Sequence, residues 1–340
     1  MIWVRRLVIV LTLLVAAVLV YGLTLPDTTR VERTITIDRP AATVFAQLND
    51  FRRFQLWSPW ADKAPEVTTV EFSGPERGVG AVMRWESESP EVGSGQQTIT
   101  VSEPHSRIET ALVFDEFGEN TAGYNLTAAP GGGTEVSWWF YQEHGWNLAG
   151  RLIGSMLDEW VGADYETGLA RLKTLAESLP AEDFGELDVS DATLEPQVWL
   201  IRETSSAPTA AAVSEALGTA FFEIVTTIQE NGLERRGQPI RLEQGFNGAA
   251  RFAAAIPIAE SDGVSLDGAV KMTAAYAGPA LKAIHKGPYP SLADTHAKLR
   301  AYAAALGYET AGDLWESYVS DPGSIAESEL ITEVFLPVNR

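Results

Sequence analysis

The feature that most restricts the fold is an uncharged apolar run near the N-terminus, Leu7 to Leu25. At about 1.5 Å of rise per residue, a helix over this run measures about 28 Å, close to the thickness of the bilayer hydrocarbon. Arg5 and Arg6 directly precede the run, and basic residues beside a span favour the cytoplasmic side. We therefore predict that residues 1–27 form a retained, single-pass anchor in the cytoplasmic (inner) membrane. The N-terminus would then lie in the cytoplasm and the remaining domains on the outer face.

A cleaved signal peptide and a buried core helix are the alternatives to a retained anchor. The apolar region of a signal peptide is usually about 7–15 residues long and ends at a site of small residues. This run is longer, and Gly22 and Thr24 make a poor cleavage site. The pattern therefore favours a membrane-spanning helix.

The charge of the chain limits its partners. It carries 25 basic and 46 acidic residues, a formal net charge of -21, and the acidic residues are spread along the sequence. Such a surface is repelled by phosphate backbones, so we expect no nucleic-acid partner. The absence of cysteine excludes thiolate chemistry, and the four histidines have no partner at metal-ligand spacing. We therefore predict neither a metal site nor a cofactor.

Short strands separated by glycine and proline dominate residues 28–180. Val31 to Asp38 alternates apolar and polar side chains, which is typical of a strand, and Pro40 opens a short helix. Six further strand-like runs follow, at Glu66–Phe72, Ala81–Glu86, Gln96–Ser102, Ser106–Phe114, Thr121–Ala128 and Thr134–Tyr141. A long helix with one broad apolar face, from about Trp146 to Leu179, closes the segment. This order predicts an α+β helix-grip domain, with an antiparallel sheet wrapped on its C-terminal helix.

Two segments of this domain carry a family resemblance. They read TITIDRPAATVFAQLNDFRRFQLWSPW and DYETGLARLKTLAE. They resemble the opening and closing segments of the SRPBCC superfamily, which includes polyketide cyclase/dehydrase-like and START-like lipid-transport proteins. The resemblance implies a hydrophobic cavity between helix and sheet, but no single reaction, because this fold serves transport, cyclisation and binding.

The same domain is rich in tryptophan. We take five of these residues as candidate ligand contacts: Trp57, Trp60, Trp85, Trp138 and Trp160. Large rings of this kind line cavities for apolar or flat ligands. Ordinary core packing is the alternative reading of each ring.

Residues 181–195 are acidic with little periodicity and are predicted to be an extended linker. The chain then repeats a strand-helix-strand-strand unit within 196–340. The first copy is predicted at Val198–Glu203, Ala210–Glu230, Gln238–Glu243 and Arg251–Ile258; the second at Leu281–Lys286, Pro290–Leu306, Asp313–Ser320 and Leu330–Val338. Val270–Tyr276 is an extra strand between them. Two such copies would pack about a pseudo-twofold axis, with a groove between them.

The two copies differ at strand positions of interest. When the two copies are aligned at Gly237 and Gly312, Arg241 in the first copy corresponds to Glu316 in the second. The second copy also carries Glu333. Alternation along each strand places Glu316 with Tyr318, and Glu333 with Phe335. If the strands pair, both carboxylates could share one wall of a site. The alternative is that both carboxylates lie on a solvent-exposed face of the sheet and have no functional role.

A second resemblance covers this domain and is strongest after Leu281. The specific motifs are HKGPY and ESYVSDP. They resemble the GyrI-like domain, also called the bacterial transcription-activator effector-binding domain. The resemblance implies a groove that binds small, often aromatic and cationic, molecules through a strand glutamate and nearby tyrosines. It points to Glu316, Tyr318 and Tyr289; some members of that family hydrolyse reactive compounds.

The leading interpretation is a membrane-tethered binding protein, a carrier or sensor for a hydrophobic or amphiphilic small molecule, a cationic one included. One alternative is a hydrolase in which a desolvated Glu316 acts as general base on water and Tyr318 or Tyr289 donates a proton to the leaving group or oxyanion. Another is an envelope scaffold that binds a protein partner. The residues alone leave these three open.

Overall fold

The computed structural model describes residues 2–114, 118–260, 266 and 268–340. Helix α1 (Ile2–Thr24) confirms the predicted apolar N-terminal helix. By length and composition, two helices in the described chain could cross a membrane: Trp3–Thr24, with mean hydropathy 2.7, and Ala210–Glu230, with mean hydropathy 1.3. The second carries Glu215 and Glu223 and packs on a sheet of its own domain. A signal sequence satisfies the same criteria as an anchor, so retention and topology stay predictions.

The chain divides into two compact units, residues 1–181 and 182–340. After α1, the first unit comprises β1 (Thr28–Ile37), α2 (Ala41–Leu48), α3 (Phe51–Phe54), β2 (Thr68–Ser73), β3 (Val82–Ser87), β4 (Gly95–Glu103), β5 (Arg107–Phe114), β6 (Gly118–Ala128), β7 (Thr134–Glu143) and α4 (Leu148–Ser178). The strands form a seven-stranded antiparallel sheet in the order β1-β7-β6-β5-β4-β3-β2. Each strand run and the long helix were predicted from the sequence to within a few residues.

Helix α4 packs closely on this sheet because glycines line its inner face. An added Cβ on Gly162 would lie 2.0 Å from the Arg33 guanidinium, and one on Gly168 would lie 2.8 Å from the Trp138 ring. Between these contacts, the buried Tyr165 ring stacks on Trp138 at a centroid distance of 3.8 Å. The predicted α+β arrangement of a sheet packed on its C-terminal helix is confirmed.

The second unit contains β8 (Val189–Leu194), β9 (Val198–Ser206), α5 (Ala210–Glu230), β10 (Ile240–Phe246), β11 (Ala250–Ile258), β12 (Lys271–Ala274), β13 (Gly278–Lys286), α6 (Leu292–Leu306), β14 (Glu309–Thr310), β15 (Trp315–Tyr318) and β16 (Ile331–Asn339). They build a nine-stranded sheet in the order β12-β9-β11-β10-β15-β16-β13-β8, with β14 pairing separately to β16. Both repeats therefore contribute to one continuous sheet.

The strand order of this sheet shows the internal duplication. The first repeat contributes β9-β11-β10 and the second contributes the same positions in reverse, β15-β16-β13, so the repeats meet at the β10–β15 pair. The local geometry also repeats. Arg236 donates its backbone N–H to Pro257 at 2.8 Å, and Ala311 donates to Pro337 at 3.0 Å. This mirrored order is the one that a pseudo-twofold axis between β10 and β15 would produce.

Part of the predicted linker is ordered structure. Strand β8 lies within residues 181–195 and pairs with β13, from Val189 opposite Ala283 to Leu194 opposite Gly278. The buried Phe184 ring meets Tyr302 edge-on at 5.4 Å. An acidic segment can form an edge strand because only its alternate side chains turn inward. The prediction of an extended linker over 181–195 is wrong for this portion.

The strand register also corrects the predicted carboxylate wall. Glu316 lies opposite Val334, and Ser317 lies opposite Glu333. Since successive side chains point to opposite faces of a sheet, Glu316 and Glu333 lie on opposite faces. The prediction that they share one wall is wrong.

Candidate functional site

The first domain encloses a cavity of about 980 Å³ between α4 and the facing side of the sheet. Alternate residues of β2 to β7 line one side, and Ile153, Leu157 and Val161 of α4 line the other. Antiparallel strands that direct every second side chain inward produce this arrangement. The cavity matches the one implied by the sequence resemblance.

Four of the five candidate tryptophans line this cavity: Trp60, Trp85, Trp138 and Trp160. Trp57 is fully buried beneath the wall, where its Nε1 donates to the Gln47 carbonyl at 3.2 Å. Trp57 is therefore a core residue, and its prediction as a ligand contact is not supported by its position.

The aromatic wall is held in a fixed arrangement. Trp60 meets Trp138 edge-on at 5.8 Å, and its Nε1 donates to Asp164 Oδ2 at 3.0 Å. Lys63 pairs with the same carboxylate at 2.7 Å. Edge-to-face and stacked rings stabilise one another beyond simple area burial, so a ligand meets a preformed surface.

Two tyrosines add polar atoms to the cavity wall. Burial raises the pKa of Tyr124 and of Tyr165 well above the ordinary tyrosine value. Both hydroxyls therefore stay protonated and can donate hydrogen bonds to a ligand. Sequence reasoning missed these residues, although Asn120, Ala122 and Tyr124 occupy alternate positions of β6 and so share one face.

In the second domain, Glu316 is the centre of a buried polar cluster. Only 2% of the residue is exposed. Arg241 Nη1 donates to its Oε1 at 2.7 Å, and the Tyr318 hydroxyl donates to its Oε2 at 2.6 Å. His296 Nε2 lies 3.1 Å from Oε1, an ion-pair distance without the alignment of a hydrogen bond. Strands β10 and β15 place the Arg–Glu pair, and α6 supplies the histidine.

These contacts determine the protonation of Glu316 and Tyr318. Burial alone would raise the pKa of Glu316, but His296, Arg241 and Tyr318 lower that pKa below its ordinary value. Burial and the nearby Glu316 raise the pKa of Tyr318. Glu316 is therefore a carboxylate and Tyr318 a neutral phenol at ordinary pH.

An outer ion pair continues the cluster. Glu243 on β10 pairs with Arg300 on α6 at 2.6 Å, and its carboxylate lies 3.8 Å from His296 Nδ1. Sequence reasoning missed His296, Glu243 and Arg300. Arg241 was visible as the repeat counterpart of Glu316, but its position across the strand pair was not inferred.

The other predicted residues of this domain separate into two environments. Tyr289 lies on the Glu316 side, where its ring meets Tyr318 at 5.2 Å, and burial raises its pKa. Glu333 lies on the opposite face and pairs with Lys282 at 2.6 Å. The structure thus brings together Glu316, Tyr318 and Tyr289, and separates Glu333 from them.

Two family models match this chain, one in each of its two compact units. Residues 28–177 match the family described as polyketide cyclase/dehydrase and lipid transport. Residues 227–339 match the GyrI-like small-molecule binding domain. The chain is a polyketide cyclase-type SRPBCC domain fused to a GyrI-like domain. A search of curated proteins finds no match.

Solved structures are similar over 45% of this chain. They include EcmrR in a DNA complex, at 17% identity and TM-score 0.40, of which 58% is covered. A hydrolase from Listeria innocua matches at 16% identity over 92% of its length, with TM-score 0.34. Ms6760 from Mycobacterium smegmatis matches at 15% identity over 93% of its length, with TM-score 0.33. This chain therefore spans just over half of the EcmrR chain.

Proposed function

We propose that this SRPBCC–GyrI-like fusion is a membrane-tethered binding protein, a carrier or sensor, for a hydrophobic or amphiphilic small molecule held in the first domain. The observation that supports this most directly is the cavity of about 980 Å³ with its aromatic wall. Ligand sites in proteins commonly measure about 300–1,000 Å³, so the cavity is large enough for a molecule with a long apolar chain or several rings.

The surroundings of α1 support tethering beside the cavity. Arg151 of α4 donates to the Leu25 carbonyl at 3.1 Å, at the end of the apolar helix. From that point α4 exposes a row of large apolar side chains, Leu152, Met156 and Trp160, of which Trp160 also lines the cavity. Exposed apolar side chains in a continuous group are typical of membrane or protein contact surfaces. We infer that this face of α4 lies against the bilayer, from which the ligand enters.

The Glu316 cluster argues against a cationic ligand in the second domain. Arg241 and the Tyr318 hydroxyl already engage the two carboxylate oxygens. A cation would have to displace Arg241 and leave its guanidinium buried without a partner, which is costly. We therefore propose that any ligand of this domain is not a cation.

The hydrolase alternative is weakened by the same geometry. A general base functions best when its pKa lies near the working pH. His296, Arg241 and Tyr318 lower the pKa of Glu316 instead. Glu316 is thus a weak base, and its role is proposed to be structural pairing within the cluster.

A quenching experiment tests the proposed binding function. The full chain in lipid nanodiscs is titrated with a terminally brominated long-chain alcohol, whose bromine quenches nearby tryptophans. Ala122→Phe fills the cavity, whereas Ala111→Phe adds the same ring to the next strand at a position outside the cavity lining. We expect saturable quenching in the wild type and in Ala111→Phe, and its loss in Ala122→Phe. Equal quenching in all three, or none above empty nanodiscs, would refute the proposal.

A further inference from the structure

Amide side chains form a polar row across the cavity face of the first-domain sheet. Gln97 on β4 lies opposite Leu112, and Leu112 lies opposite Asn120 on β6. The register of β6 and β7, in which Thr121 faces Tyr141, brings Gln142 beside Asn120. Gln97, Asn120 and Gln142 all line the cavity. The rest of that face is largely apolar, so the row is its most polar band.

One atom of this row lacks a partner. Asn120 is only 6% exposed, and its Nδ2 donates to the Gly118 carbonyl at 3.0 Å. Its Oδ1 is buried and has no hydrogen-bond partner among the residues that the structure describes. A buried acceptor without a donor destabilises the empty protein, and a ligand that supplies the donor removes this cost.

The charges around the cavity restrict what the donor can be. The described lining residues include the carboxylates Glu88, Glu91 and Asp164, and none of them is lysine, arginine or histidine. A ligand carboxylate or phosphate would therefore be buried without a counter-ion, which is strongly unfavourable. A ligand cation gains little, because Asp164 is already paired with Lys63 and the two glutamates are exposed to water.

We propose that the cavity selects an uncharged amphiphile whose hydroxyl or amide N–H donates to Asn120 Oδ1, with its apolar body against the aromatic wall. This proposal rests on the proposed binding function and specifies the ligand class. Gln97 and Gln142 offer further donors and acceptors to the same polar group. Asn120 is then a specificity-determining residue, since it distinguishes an alcohol from an alkane of equal length.

Matched brominated probes test the selection on the full chain in nanodiscs, with empty nanodiscs measured in parallel to correct for partitioning. The probes are a terminally brominated undecanol, the corresponding undecanoate, the corresponding trimethylammonium and the bromoalkane. We expect the alcohol to bind about a hundredfold more tightly than the carboxylate near neutral pH, because an acid with an ordinary pKa of about 4.5 must first be protonated. The carboxylate should gain affinity as the pH is lowered.

Variants then locate the polar contact. Asn120→Leu should weaken binding of the alcohol about three- to tenfold and leave binding of the bromoalkane unchanged. Gln97→Leu, in the same row, should also weaken binding of the alcohol. Gln96→Leu removes an amide from the opposite face of β4 and should leave the binding of both alcohol and bromoalkane unchanged. Thermal unfolding of each variant shows that it remains folded.

Several results would overturn this proposal. They are carboxylate or trimethylammonium binding as tight as that of the alcohol, and equal losses for alcohol and bromoalkane in Asn120→Leu and Gln97→Leu. In both cases binding itself would persist, and only the ligand class would be wrong. If no probe quenches above empty nanodiscs, the proposed binding function fails as well.

Discussion

The Glu316→Gln substitution offers a direct test of the cluster at the centre of the second domain. Glutamine keeps the size of the side chain and can still accept from the Tyr318 hydroxyl, but it carries no charge. Arg241, whose side chain is 20% exposed, would then be a largely buried cation without its carboxylate. Removal of one partner of a buried ion pair commonly costs about 3–5 kcal/mol. Because the tyrosine hydrogen bond survives, we expect the lower end, about 3 kcal/mol.

The loss can be measured by hydrogen–deuterium exchange of the full chain in increasing urea. Peptides from β10 and β15 report unfolding of the second domain without interference from the first. With a urea dependence of about 2 kcal/mol per molar, a loss of about 3 kcal/mol lowers the midpoint by about 1.5 M. Glu309→Gln is the matched control. Glu309 is exposed on β14, so its replacement should change stability by less than about 0.5 kcal/mol.

A paired replacement separates the loss of an interaction from the loss of a fold. Arg241→Met combined with Glu316→Leu removes both charges together, and well-packed apolar pairs often replace buried ion pairs without loss. We expect the double variant to be more stable than Glu316→Gln alone. The reasoning is refuted if Glu316→Gln and Glu309→Gln shift the urea midpoint equally. It is also refuted if the stability changes at Arg241 and Glu316 are additive in a double-mutant cycle.

Four further predictions follow from the structure. The pKa of Glu316 in the folded state lies below the ordinary 4.5, so its carboxylate contributes fully to the stability of the second domain at pH values above 4.5. This contribution should be lost as the pH falls through the lowered pKa, as acid unfolding of the second domain would show. Removal of residues 1–27 should give a folded, soluble protein, and pelleting with membranes would show that the exposed face of α4 holds the protein on a bilayer without the anchor. A fragment of residues 182–340 should fold alone and be more stable than 195–340, which lacks β8, as urea unfolding of both would show. Gly95→Ala should cost about 1–3 kcal/mol and weaken ligand binding, because the new methyl overlaps a backbone oxygen and the Trp85 ring, as thermal unfolding and probe titration would test.

Much of the fold could be predicted from local patterns in the sequence. Strand runs in the first domain and both helices of the second were placed within a few residues, because alternation and helical periodicity report which side chains turn inward. The strand β8 was missed because Val189–Leu194 is a short edge strand within an acidic segment and has few inward apolar side chains. Its pairing with β13 depends on tertiary contacts that composition does not reveal.

The candidate site was predicted less completely, because the side chains that meet there depend on how neighbouring strands are aligned. Alternation identified Glu316 and Tyr318 as neighbours, but only the pairing of β15 with β16 shows that Glu333 turns the other way. The contact between Arg241 and Glu316 also depends on strand pairing, because the two residues lie on different strands. Repeat alignment had already matched these two positions, and equivalent positions beside a twofold axis become neighbours in space.

That contact between β10 and β15 depends on both repeats lying in one chain. In a dimer of identical subunits, a residue at the axis faces its own copy, so an arginine would meet arginine and a glutamate would meet glutamate. Here Arg241 faces Glu316 across the β10–β15 pair, with Ile240 opposite Ser317 and Leu242 opposite Trp315. Opposite charges at one symmetry-related position require two separately encoded copies. A homodimer of the first repeat about this axis would bring two copies of Arg241 together, and one of the second repeat two copies of Glu316; the ion pair forms only because both repeats lie in one chain.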